Sequence, residues 1–179
     1  MNPPLAANDT NVMEDLFAGA EKLEYSAKRV SEYDPNTFHT EAVILKPDGT
    51  YEHRDAAEWY VWKNGEDKHD GWIYIQSGTY TITQSRHEFT LQLSATRLYD
   101  QENFEDQAKE YAGYISSDGA LLTLAAVKNQ GRRGGAHDAS TVLSLGGSVQ
   151  KMTGHMWKPI ASEFVYDYQY ERLTSKYSK

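Results

Sequence analysis

Phe89-Thr90-Leu91-Gln92-Leu93-Ser94-Ala95-Thr96 sets an apolar residue at every odd position and a polar one at every even position. Successive side chains of a strand point to opposite faces, so the stretch reads as a strand with one face in a core and one in water. Phe89, Leu91 and Leu93 are assigned to the interior, and Thr90, Gln92 and Ser94 to the outside. A slip of one residue would bury every polar member, which holds the register firm. The same period recurs in Ser162-Glu163-Phe164-Val165-Tyr166-Asp167-Tyr168-Gln169-Tyr170-Glu171, where Phe164, Tyr166, Tyr168 and Tyr170 share a face and Val165 alone breaks step. A buried phenol needs a hydrogen-bond partner, so a wall of tyrosines suits a partly polar cavity better than a solid core.

Outward from these two ladders, short strand signals alternate with turn dipeptides. Strands are predicted over 23–33, 39–46, 57–63, 72–75, 80–83, 110–116, 120–127, 141–145, 148–153 and 162–173. Pro47-Asp48-Gly49, Asn64-Gly65 and Asp118-Gly119 mark reversals, with Gly146-Gly147 a weaker hairpin signal. Ahead of the strands, Asn11 and Glu14 make a capping-box pattern, and Val12, Met13, Leu16, Phe17, Ala20 and Leu23 follow at helical spacing. This predicts a helix over about 12–22 that covers one end of the fold, with residues 1–10 a loose arm and 11–179 a single domain. Parallel strands would need crossover helices, and no such pattern intervenes. The fold class is therefore all-β: an antiparallel up-and-down β-barrel of about 8–10 strands with a short N-terminal helix.

Composition narrows the function. With 179 residues, 39% hydrophobic and 25% charged, the chain has the makeup of an ordinary globular domain. Twenty-six acidic residues against 18 basic ones leave a net charge of −8. That balance argues against nucleic acid and anionic membranes as partners, since both require a basic face. The absence of cysteine excludes thiolate catalysis, disulfides and cysteine metal sites. Met1-Asn2-Pro3-Pro4 lacks the basic start and apolar run of a secretory signal, and no apolar segment approaches the ~20 residues of a membrane span. A cytoplasmic protein is expected on these grounds.

The succession of a helix, Lys46-Pro47-Asp48-Gly49-Thr50-Tyr51, Ser77-Gly78-Thr79-Tyr80-Thr81-Ile82 and Tyr114-Ile115-Ser116-Ser117-Asp118-Gly119-Ala120-Leu121-Leu122-Thr123-Leu124 resembles the lipocalin-like (calycin) small barrels over about residues 23–127. The resemblance implies an apolar ligand held in the barrel. Some lipocalin-like barrels are instead small-molecule cyclases or isomerases.

Candidate chemistry is sparse. Asp67, His69 and Asp70 read as a solvated, charged turn, and no histidine pair has helical zinc spacing. His53 lies in a polar stretch after Tyr51, and His87 begins a strand. His137, in the glycine-rich run 128–138, and His155, before Trp157, are candidate acids or bases if their loops fold over the barrel mouth. Arg132 in that run is suited to an anionic group on a ligand. Strand aromatics and aliphatics supply the candidate ligand contacts: Tyr60, Trp62, Tyr74, Phe89, Leu91, Tyr166 and Tyr168. No cofactor and no metal is expected. The reading is a binder of an apolar or amphipathic small molecule. The alternatives are a cofactor-independent cyclase or isomerase using the same cavity, and an acidic, immunity-type barrel that docks a basic protein through its outer face.

Overall fold

The computed structural model describes residues 8–30, 37–63, 66–98, 108–127, 140–153 and 156–159. Among them run one helix and ten strands: α1 (Thr10–Phe17), β1 (Leu23–Val30), β2 (Thr37–Leu45), β3 (Thr50–Lys63), β4 (Glu66–Gln84), β5 (Glu88–Leu98), β6 (Glu110–Ser116), β7 (Leu121–Ala126), β8 (Thr141–Leu145), β9 (Val149–Thr153) and β10 (Met156–Pro159). From β1 to β8 each strand pairs antiparallel with the next, and β8 returns to β1 through Tyr25↔Leu145 and Ser26↔Ser144. The result is a closed, eight-strand, up-and-down barrel with a short N-terminal helix, as the alternation predicts. Among the described residues, no helix is long and apolar enough to cross a membrane.

The elements differ from the sequence reading in several places: the strands predicted over 72–75 and 80–83 are one strand, β4, and the one over 57–63 begins at Thr50. The helix starts and stops early: Asp9, not Asn11, is the cap, its Oδ1 accepting from the N–H groups of Asn11 and Val12 at 2.8 and 3.2 Å. Ala18 at φ 48° and Gly19 at φ 86° end it, because the chain must reverse there to enter β1. Asp67, His69 and Asp70 lie within β4, paired with Trp62, Tyr60 and Trp59, and not in a turn. Pairing runs unbroken from Thr50↔Thr79 to Lys63↔Glu66. Gly146-Gly147, finally, does not make a hairpin of paired strands. β8 and β9 share one edge of β1 instead, β8 against Tyr25 and Ser26 and β9 parallel to Lys28–Val30.

Closure also depends on glycine. A Cβ at Gly78 would run into the carbonyl of Ser94, and one at Gly113 into that of Thr123. Both sit where neighbouring strands fold tightly together, and the β4–β5 ladder shifts register between Ser77 and Gly78.

The interior follows the period-two rule. Phe89, Leu91 and Leu93 are buried while Thr90, Gln92 and Ser94 are exposed. They join Tyr25, Leu45, Tyr80, Ile82, Ile115 and Leu122 in one apolar cluster, which α1 closes with Leu16 and Phe17. Two tyrosines at this end place their hydroxyls on backbone: Tyr25 donates to Gly119 O at 2.7 Å and Tyr80 to Lys46 O at 2.6 Å.

Candidate functional site: a charged cluster inside the barrel

Beyond the apolar half, the same inward faces continue onto ionisable side chains. On β1 the buried positions run Tyr25, Ala27, Arg29; on β2 they run back from Leu45 and Val43 to Glu41; on β3 Tyr51 is followed by His53. Arg29 is 1% exposed, Glu41 4% and His53 3%. Their backbones pair strand to strand, Arg29↔His39, Glu41↔Asp55 and Val43↔His53, so the barrel wall itself sets the side chains beside one another.

Glu41 is the hub. Its Oε1 accepts from Arg29 Nη1 at 2.5 Å, and its Oε2 faces His53 Nε2 at 2.6 Å. Burial alone would raise its pKa, but the Arg29 guanidinium, helped by the hydrogen bond from His53, more than offsets that and holds the carboxyl well below the usual range. An ionised carboxylate only accepts hydrogen bonds, so His53 Nε2 carries a proton. Arg29 Nη2 also meets His39 Nδ1 at 2.9 Å, and His39 Nε2 in turn lies against Asp55 Oδ1. The His39–Asp55 pair is about a quarter exposed, so the cluster runs from a sealed centre to a wet edge.

Tyr111 of β6 reaches in from across the lumen. Its ring stands edge-on to the His53 imidazole, with centroids 4.8 Å apart. Burial, then the negative charges of Asp55 and Glu41, push its hydroxyl well above the ordinary tyrosine value. It is a protonated donor at neutral pH. Beside it, Tyr51 donates to Gln76 Oε1 at 2.8 Å, and Gln76 Nε2 donates to Ala108 O at 3.0 Å.

Gln150 of β9 completes this level. Its backbone pairs in parallel with Arg29, which sets both side chains on the same face. Gln150 is fully buried, yet among the described residues neither its Oε1 nor its Nε2 has a hydrogen-bond partner. Among the described residues, no three His, Asp or Glu side chains group to hold a metal ion. A separate groove of about 490 Å³ runs over the outer face past Lys46, Thr50, Ser77 and Thr79, where Glu52 and Arg54 pair with each other at 2.9 Å.

The residues singled out from sequence fall as follows. Phe89 and Leu91 are interior side chains of the apolar half. Tyr60 and Trp62 lie in β3 opposite His69 and Asp67, and Tyr74 lies in β4 opposite Asp55. Arg132, His137, His155, Tyr166 and Tyr168 lie outside the described residues. Arg29, Glu41, Gln76, Tyr111 and Gln150 were not singled out, and His53, read as part of a polar stretch, is a buried strand residue. One signal was available: opposite charges on the phase that carries Tyr25, Val43 and Leu45 in consecutive strands.

Comparison with known proteins gives no family: no family model, no curated protein and no solved structure matches this chain. The architecture is a closed antiparallel barrel, compatible with a lipocalin-like one.

Proposed function

We propose that this protein is a lipocalin-like barrel that binds a small molecule with an apolar body and a polar end. The apolar body packs toward Phe89 and Leu91, and the polar end meets the charged half. One observation carries this reading. Among the described residues, Gln150 buries a carboxamide with both hydrogen-bonding atoms unpartnered, on the face it shares with Arg29. Each unsatisfied buried polar atom costs about 1–3 kcal/mol, so a side chain with two is expected where a ligand supplies the partners. The strand aromatics Tyr60, Trp62 and Tyr74, together with Arg132, Tyr166 and Tyr168, are proposed as further contacts.

The test is extraction of small molecules from purified protein, paired with native mass spectrometry of wild type and Gln150→Leu. The expected result is a bound apolar compound bearing a carbonyl, hydroxyl or carboxyl group, with occupancy at least tenfold lower in the variant. The ligand-free variant should be no less stable than wild type, because it loses two unsatisfied atoms. Wild type that carries no compound, and that no member of an apolar ligand library stabilises thermally, defeats the reading.

A further inference from the structure

The charged half holds more than a binding site requires. A polar ligand end could be met by hydroxyls and amides, without placing an arginine, a glutamate and a histidine almost fully out of water. Replacing a buried ion pair by apolar residues is often neutral or stabilising, so such a cluster is weak as a stability device. Held out of water beside the unsatisfied Gln150 side chain, it marks a candidate site for chemistry.

We propose that the cluster is a proton-transfer site, with His53 as the general base acting on a carbon acid of the bound molecule. The proposal rests on the binding reading above. Glu41 Oε2 engages His53 Nε2–H at 2.6 Å, which fixes the tautomer and leaves Nδ1 as the basic nitrogen. Among the described residues, Nδ1 has no hydrogen-bond partner. Arg29 holds Glu41 in place at 2.5 Å, so both are positioning residues. Tyr111 stands edge-on to the same imidazole as the donor.

This arrangement fits a carbonyl compound with an acidic C–H next to the carbonyl. His53 Nδ1 takes that proton, and the C–H electron pair moves into a C=C bond as negative charge passes to the carbonyl oxygen. The oxygen accepts a hydrogen bond from the Tyr111 hydroxyl. Return of the proton from the imidazolium to the γ-carbon of a β,γ-unsaturated substrate gives the conjugated isomer. No atom or electron is gained or lost, so no cofactor is needed.

The probe is 5-nitrobenzisoxazole. A base removes its C3 hydrogen, the N–O bond breaks, and the pair leaves on oxygen as a coloured 2-cyano-4-nitrophenolate. The inert analogue 6-nitrobenzotriazole reports binding separately, by calorimetry. Wild type is expected to turn the probe over at least ~100-fold faster than equimolar imidazole at the same pH, the lower end of general-base contributions. His53→Gln keeps a donor to Glu41 but has no basic nitrogen, and should fall to the imidazole level while its melting temperature and triazole affinity stay near wild type. Tyr111→Phe should lower kcat about tenfold with KM little changed, since its donor acts on charge formed in the transition state. A His53→Gln variant that keeps the wild-type rate overturns the proposal, as does wild type no faster than imidazole. Triazole binding without turnover sinks the base and leaves the binding reading standing; absence of both counts against the two together.

Discussion

Leu91 and Arg29 are buried to the same degree inside one barrel, 0% and 1% exposed, yet they belong to halves held together by different physics. Around Leu91 the strands bring Ile82 and Phe89 into an apolar cluster that α1 seals. Hydrophobic burial is non-directional, so that half stands on area and close packing. Around Arg29 the contacts are directional, and each depends on a partner at one distance and in one charge state. The first half stabilises the barrel and closes it. The second is costly to bury and holds only while every partner is in place.

The sharpest way to break this contrast is to remove one partner from each half. Glu41→Ala leaves the Arg29 guanidinium buried without its carboxylate, and the expected loss is about 3–5 kcal/mol in urea unfolding. Leu91→Ala should cost about 2–5 kcal/mol through lost transfer energy and a cavity. The distinguishing measurement is the paired replacement. Arg29→Met with Glu41→Leu should recover most of the Glu41→Ala loss, whereas no second substitution beside Leu91 is expected to do so short of refilling the volume. A double variant as unstable as the single one would mean the ion pair itself holds the barrel together.

Acid should separate the halves next. Glu41 has its carboxyl held far down by Arg29 and His53 in the folded state, while in the unfolded chain it titrates near 4.5. A depressed folded value contributes stability above the unfolded pKa and loses it as pH falls below that value toward the folded one. Wild type should therefore lose stability on acidification below about pH 4.5 more steeply than Glu41→Gln, read as urea midpoints across the range. Parallel slopes would show that Glu41 is not the group that couples folding to acid.

The two halves were also unequally legible. Period-two alternation requires only that apolar residues recur, and Phe89, Leu91 and Leu93 declared their face outright. Arg29, Glu41 and His53 sit on the same inward phase, but a charged residue in a strand ordinarily faces solvent, and a strand read alone gives no reason to turn it inward. Reading three strands together would have changed the balance, because Arg29 and Glu41 become neighbours only once β1 and β2 are paired. The β9 edge was less legible still. Nothing local in Gly146-Gly147 distinguishes a paired hairpin from a chain that turns back along β1, so the place of Gln150 beside Arg29 depends on tertiary structure alone. Tyr111 carried no signal for a similar reason, since its contact with His53 crosses the lumen.

The smallest expected effect sharpens the comparison at the level of single hydroxyls. Tyr25 in the apolar half donates to the Gly119 carbonyl at the rim, and Tyr51 beside the charged half donates to Gln76 Oε1. Tyr51→Phe strands a buried amide oxygen, so about 1–3 kcal/mol is expected. Tyr25→Phe leaves a carbonyl in a turn that water can reach, because neighbouring Asp118 is exposed. Its loss should stay near the net value of one hydrogen bond, about 0.5–1.5 kcal/mol. Alkali gives an independent check on the same phenol. Burial, aided by the negative charge of Asp118, pushes the Tyr25 hydroxyl up to about 12 from 10.0. A raised folded value contributes stability that is fully present below the unfolded pKa and is lost as pH rises toward the folded one. Wild type should thus weaken between about pH 10 and 12 more than Tyr25→Phe does, followed by chemical unfolding across that window. Equal losses in Tyr25→Phe and Tyr51→Phe, with identical alkaline slopes in wild type and Tyr25→Phe, would erase the distinction between a rim hydroxyl that water can replace and an interior one that it cannot.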